Sequence, residues 1–389
     1  GYLLDALIEE ELSAPAFEKD QLLDSLEENL GFARDFQDIL NITRRWSGDI
    51  KFLTSVRQLS GVLGCLDGGQ ILSSVADLLI EATLTAVSKE FQKTYGVLPD
   101  GELCVLGFGK LGGEILTRGS DLDLVFVYRA DNELLSNGDR KISASTYYSR
   151  LCQRLITALS AQTGHGQLYE IDVRLRPMGS SGPLVSDFSR LEHYYKKEAW
   201  VWEVMALTRA RVVAGPKALT GKIEVLIRNV LCQAYGLENL RSEILAMRRK
   251  VWRERPPAGL WDIKYSRGGL FDLDFLVQYL QLQNGGQEPY ALDPNTLKFF
   301  AKLSKVGHID RSILTELSES LEFFVQVQSL SRICLTDVLD EESAPSGLRD
   351  VLVRNCRAVD FNALRDKLRA HQISTHGHFV RLIGEYTVV

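Results

Sequence analysis

Two aspartates, Asp121 and Asp123, stand one residue apart at the head of an apolar run, "GSDLDLVFVY" (119–128). Leu122 and residues 124–128 are strong strand formers, and in a strand positions two apart share a face. Two carboxylates therefore converge at one end of a buried strand, where they repel unless something cationic lies between them. A second string, "LYEIDVRLR" (168–176), alternates. Tyr169, Ile171, Val173 and Leu175 form one face; Glu170, Asp172, Arg174 and Arg176 form the other. A solvent-facing strand gives the same pattern. Paired beside 121–128, however, it brings Asp172 to Asp121 and Asp123. Three carboxylates are a donor set for Mg²⁺, which takes hard oxygen ligands and substrate phosphates. Two such ions about 4 Å apart activate an attacking oxygen and stabilise a departing one. Arg174 and Arg176 then offer positive charge to phosphate oxygens.

The stretch before the acids is rich in glycine. "GFGKLG" (107–112) fits a dinucleotide-binding GxGxxG, but only seven residues separate Gly113 from Asp121. A parallel crossover needs a dozen or more, so the spacing disfavours a Rossmann unit. Leu111 after Lys110 also rules out a P-loop, which needs Ser or Thr there. What remains is strand, glycine turn, short helix and a second strand carrying the acids. Gly107, Gly109, Lys110, Gly112, Gly113 and Ser120 become candidates for holding a triphosphate.

These residues need elements to position them. The spacing predicts strands in "ELCVLGFG" and at 121–128, a helix in "ASTYYSRLCQRLITALSA", a long strand through 168–176, and mostly helix from Phe188 to Gly215. Residues 1–95 read as amphipathic helices, and the chain beyond Pro216 reads as a helical bundle. The expected fold is therefore α+β: a helical segment (1–90), a catalytic core (91–215) and a C-terminal bundle (216–389).

The 389 residues carry a net charge of −6, which argues against nonspecific nucleic-acid binding. No apolar run approaches the roughly 20 residues of a membrane span, and the N-terminus lacks the pattern of a signal peptide. It also lacks Met, as a fragment would. Six cysteines scattered without CxxC spacing suit reduced thiols and a cytoplasmic location.

A glycine-rich turn, DxD at a strand start and a third Asp on a neighbouring strand resemble the nucleotidyltransferase superfamily of DNA polymerase β. The strings "GFGKLGGEILTRGSDLDLVFVY", "YEIDVRLRPMGSSGPLVS", "EAWVWEVMALTRARVVAG" and "IKYSRGGLFDLDFLVQYLQL" together resemble glutamine synthetase adenylyltransferases. That resemblance implies a polymerase β-like core and two related halves in one long polypeptide. One half attaches AMP from ATP to a tyrosine of glutamine synthetase. The other removes it by phosphorolysis. "AWVWEVMALTRAR" (199–211) resembles the adenylylating half more. The resemblance also implies regulation by the PII signal protein and glutamine. Three alternatives stay open: the phosphorolytic half, a non-catalytic nucleotide- or PII-binding module, and, weakened by the spacing, a dinucleotide oxidoreductase.

Outside the core, Asp272-Leu-Asp274-Phe275 departs from the family's usual Asp-x-Glu-Phe. Asp274, Gln278 and Gln281 share a helix face, either as a buried polar stripe or as the far wall of a nucleotide cleft. Lys264 suits a phosphate contact or plain exposure, and Ser180–Gly182 a phosphate or a turn. Trp200 and Trp202 are expected in the core. Arg209 and Arg211 face a site or pair with acids. His371, His376 and His378 lack the companions of a zinc site.

Overall fold

The computed structural model describes residues 17–233 and 237–386. In chain order the helices and strands are α1 (Lys19–Leu30), α2 (Phe36–Ser60), α3 (Cys65–Tyr95), β1 (Glu102–Gly107), α4 (Gly109–Gly112), β2 (Leu122–Arg129), α5 (Ala144–Ser160), β3 (Ile171–Asp172), β4 (Val185–Asp187), α6 (Phe188–Lys197), α7 (Val201–Leu207), β5 (Arg211–Ala214), α8 (Lys217–Leu231), α9 (Leu237–Glu254), α10 (Leu270–Asn284), α11 (Thr296–Val306), α12 (Arg311–Cys334), α13 (Ser346–Asn355) and α14 (Phe361–Leu382).

They form two compact units. The first runs to Leu53, resumes at Gln70 and ends at Val230; the second takes Thr54–Gly69 and the chain from Leu231 onward. The first unit is built on a small mixed sheet, ordered β3-β2-β1-β5, with β4 also on β2. β1 and β2 pair antiparallel from Glu102↔Arg129 to Gly107↔Leu124, as their short connection requires. β3 and β4 both run parallel to β2, β3 beside its first residues and β4 beside its last. Leu124, Val125, Phe126 and Val127 are almost wholly buried. Burying one such side chain stabilises the fold by roughly 1.5–3 kcal/mol. The strand's interior is thus fixed by apolar burial, and only its head is left for polar chemistry.

Helix α5 turns Tyr147, Tyr148, Leu151, Cys152, Leu155 and Leu159 inward at helical spacing, and Tyr148 stacks on Tyr128 of β2 at 4.9 Å. Helix α3 is long and apolar enough to cross a membrane by length and composition, contrary to the expectation from residue runs. Within this structure 67% of its apolar window is buried, the pattern of a core helix. The second unit is helical among its described residues. The six cysteines are all free, and four of them are buried.

Two sequence expectations give way. The long strand 168–176 shrinks to β3, two residues. The Asp172 carboxylate accepts the Arg174 backbone N–H at 2.8 Å, which closes a turn and ends the strand. The stretch Arg211–Ala214, expected as helix, is a strand on β1. Its two adjacent valines suit the open edge that β1 presents there.

Candidate active site

Two of the three acids pair at the head of β2, and the third, Asp121, stands just before it. Asp123 and Asp172 are register partners on adjacent parallel strands, next to the pair Leu122↔Ile171. The Leu122 N–H donates to the Glu170 carbonyl at 2.9 Å, which locks that register. Asp121 is exposed and Asp123 half-buried. The glycine turn is held against them: the Phe108 N–H donates to the Asp123 carbonyl at 2.9 Å. Gly109 has φ +55°, and a Cβ there would lie 2.5 Å from Asp123 Oδ2. Only glycine satisfies both demands. Gly112 is constrained differently, because its Cβ would come within 1.7 Å of the Arg209 carbonyl oxygen. Gly107 ends β1, paired with Leu124 and Arg211.

The amides of Gly112 and Gly113 bond the Phe108 and Gly109 carbonyls, so both serve the turn itself. Lys110 Nζ donates to Thr117 Oγ1 at 3.2 Å, and Thr117 Oγ1 lies 2.9 Å from Ser120 Oγ. Lys110 and Ser120 are thereby joined through one threonine. Behind the turn, Arg211 forks onto Asp77 at 2.7 and 2.8 Å and reaches the Leu111 carbonyl at 3.1 Å. Arg211 is a brace for the turn; it pairs with an acid as one sequence reading had it.

The two arginines after Asp172 behave differently. Arg174 turns back on Asp172 through Nε at 2.8 Å, its side chain 76% exposed. Its charge is also reinforced by Asp123 and Asp121. The hydrogen bonds from Arg174, working against partial burial, hold the Asp172 carboxyl below the usual carboxylate range. A guanidinium thus answers the three carboxylates in this structure. Arg176 instead bonds the carbonyls of Val173 (2.8 Å), Ser180 (3.2 Å) and Gly182 (3.2 Å), stapling the loop that follows.

The fit of Mg²⁺ follows from these contacts. Among the described residues no three His, Cys, Asp or Glu side chains are gathered closely enough to hold a metal as they stand. The donor chemistry of Asp121, Asp123 and Asp172 nevertheless suits a hard cation. Arg174 supplies the positive charge there, with its Nε donating to both Asp172 oxygens.

Sequence reasoning missed a second staple. Glu203, buried, accepts Tyr194 Oη through both oxygens at 2.7 Å and the Trp200 N–H at 2.9 Å. Tyr194 Oη in turn accepts the Met178 N–H at 3.2 Å. Burial first, then Glu203, pushes the Tyr194 phenol up to about 12. Trp200 is 69% exposed and Trp202 37%, so the expectation that they lie in the core is overturned. The buried face of α7 is taken by Glu203, Val204, Met205 and Leu207 instead. Only the mixed polarity of "AWVWEV" could have signalled this. Asp187 caps α6, its side chain accepting from the Ser189 and Arg190 amides.

In the second unit, Asp272 of α10 is fully buried, paired with Arg248 and accepting the Gly268 N–H (2.6 Å) and Tyr386 Oη (2.7 Å). Burial alone would raise its carboxyl; His376, Arg248 and the Gly268 amide hold it below the ordinary range. Asp274 and Gln278 are half-buried and Gln281 is fully buried. Lys264 lies over the rings of Tyr265 and Phe271. His371 bonds Ser320, His378 bonds Glu316, and His376 lies 3.7 Å from both Asp272 and Glu385.

Residues 1–225 match a family model described as glutamate-ammonia ligase adenylyltransferase, and residues 245–332 one described as GlnD PII-uridylyltransferase. A bifunctional glutamine synthetase adenylyltransferase/adenylyl-removing enzyme from Rhizobium meliloti (strain 1021) is 35% identical over 364 residues, 92% of this chain and 36% of the relative. Its namesake from Brucella suis biovar 1 (strain 1330) is 34% identical over 389 residues, covering 98% and 38%. That of Mesorhizobium japonicum is 37% identical over 338 residues, covering 86% and 34%. The chain therefore spans little more than a third of the length of these relatives.

Proposed function

The chain belongs to the glutamate-ammonia ligase adenylyltransferase family, and we propose that it transfers AMP from ATP to a tyrosine hydroxyl of glutamine synthetase. One observation carries the reading at the level of chemistry: Asp123 and Asp172 face each other in register, one residue from Asp121, against a turn that only glycine can form.

Asp121, Asp123 and Asp172 would hold Mg²⁺, two ions in the expected arrangement. The bound metal supplies Lewis-acid charge at the α-phosphate and at the departing pyrophosphate. The protein's own groups do the rest. Arg174 leaves Asp172 and moves onto phosphate oxygens, for which a planar fork is suited. Gly109 leaves room for the Asp123 carboxylate. Lys110, steadied by Thr117, lies beside the same turn and carries charge for the triphosphate. With Arg174 on the phosphates, the Asp172 carboxylate would take up the phenolic proton of the tyrosine, which the cation it holds would make more acidic. Arg176 and the Tyr194–Glu203 pair keep the loop after Asp172 in one conformation, which fixes the attacking geometry.

Exposed Trp200 and Met178 are joined to that loop through Tyr194 and Glu203, which suits a protein substrate better than a free small molecule. PII as a partner is supported by the match of residues 245–332. Glutamine as effector and a cytoplasmic location belong to the same proposal. Incubation with glutamine synthetase and ATP labelled in the α-phosphate tests it. Label on the synthetase is the expected result. Release of ADP from adenylylated synthetase and phosphate would move the assignment to the adenylyl-removing reaction, and nucleotide binding without either would leave a regulatory module.

A further inference from the structure

A cavity of about 360 Å³ opens in the first unit beside the head of β2. That is the size of a small-molecule site. Its walls come from α2, from Leu72 of α3 and from the segments 116–120 and 167–170. Much of the wall is closed to solvent, since Leu72, Leu116, Thr117, Ser120, Leu168 and Tyr169 are all buried. Into this wall α2 sends Lys51. Its ammonium lies 3.8 Å above the Tyr169 ring and donates to the Leu168 carbonyl at 3.0 Å. Arg118 supplies a second positive charge from the segment that leads into Asp121. Beside Lys51, one turn earlier on α2, Gly48 leaves open space where a side chain would stand.

Burial first, then Arg118, lowers the Lys51 ammonium to about 8. The Lys51 ammonium thus bears both a burial cost and a like charge beside it. A third cation would worsen that repulsion, and an anion would relieve it. Glu170 and Arg118 both line the cavity from its exposed rim, where water screens their charges, while Lys51 is the more covered of the three.

We propose that this cavity is a binding site for a phosphate-type oxyanion, held by Lys51 and Arg118. The site goes beyond the glycine turn, because Lys51 comes from an N-terminal helix that carries none of the sequence candidates. Its position gives an occupant leverage on the acids. Ser120 precedes Asp121 directly, and the Glu170 carbonyl is the group that sets the β2–β3 register. An anion bridging the two segments therefore fixes both strands that carry Asp123 and Asp172. The same chemistry has two sources: the polyphosphate end of the nucleotide, or a free phosphate or pyrophosphate.

Calorimetric titration with pyrophosphate and with inorganic phosphate, in metal-free buffer, tests the site without reading activity. The wild-type chain is expected to bind pyrophosphate. Lys51→Met and Arg118→Ala are each expected to weaken it about 10- to 100-fold, the worth of a charge-assisted contact. Arg118 is exposed, so its removal leaves the fold intact; the melting curve checks Lys51→Met. Asp123→Asn should keep pyrophosphate binding whatever becomes of label transfer, which separates this site from the activity proposed above. Displacement by a non-hydrolysable ATP analogue would identify the anion as the nucleotide's own tail. Simultaneous binding would identify a separate small anion. An absence of pyrophosphate binding, or Kd values unchanged in both variants, would overturn the proposal.

Discussion

Each unit holds a carboxylate–arginine pair at an aspartate the sequence singles out, Asp172 in the first and Asp272 in the second, and the two pairs are opposites. Asp272–Arg248 in the second unit is wholly buried on both sides. Its carboxylate is met by a backbone amide, a tyrosine hydroxyl and a guanidinium, and that guanidinium lies 4.9 Å from the Tyr386 ring centre and 5.3 Å from that of Trp252. Asp172–Arg174 in the first unit joins a mostly covered carboxylate to an arginine that is 76% exposed. A buried pair is expensive to break, because either member left alone is an uncompensated charge. An exposed pair costs little to exchange. The same two residue types thus serve as a permanent tie in one place and as a removable plug in the other.

The comparison breaks first, if it is wrong, on the buried side. Asp272→Ala should destabilise the protein by about 3–5 kcal/mol, seen as a large fall in the melting temperature of the second unit. A melting curve close to wild type would mean that the network is dispensable. Next in size is Asp123→Asn beside the open pair. Label transfer with Mg²⁺ should drop by about 10²–10³ or more while metal-free melting holds or rises slightly, because one of two facing charges has gone. Early melting would make Asp123 structural, and near wild-type transfer would remove the DxD pair from the site.

Arg174→Gln sharpens the contrast. Stability should change by under about 1 kcal/mol, Mg²⁺ should bind more tightly in calorimetry, and the KM for ATP should rise. Weaker Mg²⁺ binding would show that Arg174 does not stand where the cation goes. The smallest effect is that of acid. Asp172 and Asp272 both have lowered carboxyl values, so their contribution is complete above the unfolded value near pH 4 and is lost as pH falls through the folded one. Melting temperature should therefore owe nothing to either group's titration between pH 5 and 8. Below pH 4, Asp272→Asn should flatten the wild-type decline far more than Asp172→Asn does. Equal flattening would erase the distinction between the two pairs.

The strand and turn around Asp121 and Asp123 were legible because their cause is local. Apolar β-branched and aromatic residues set the strand, and a connection too short for a crossover forces the antiparallel partner. The end of β3 was not legible, because alternation continues through Arg176 while the chain turns at Asp172. The difference lies in one side chain capturing the Arg174 amide, which periodicity does not encode. Arg176 looked like a phosphate ligand for the same reason; its carbonyl partners exist only once the loop has folded. Trp200 and Trp202 were misplaced because residue type favours burial, whereas Glu203 takes the inward position on α7. Asp272 drew notice from its motif, but nothing in the string announces Arg248 or Tyr386 as its partners, both distant in sequence.

Helices α2 and α3 lend their adjoining ends, Thr54–Gly69, to the second unit, whose remaining described residues begin at Leu231. In that unit the Leu59 carbonyl accepts from Arg354 and Asn355, residues close to the far end of the chain. During synthesis at about 5–20 residues per second, the ribosome must work for on the order of 10 s or more after Gly69 before even Leu231 exists. Through that interval Leu63 and Cys65, buried in the finished protein, have no partners from the later chain. The first unit can finish folding as it emerges. The second is obliged to wait, with the helix–turn–helix stretch Thr54–Gly69 already made and its later partners not yet in existence.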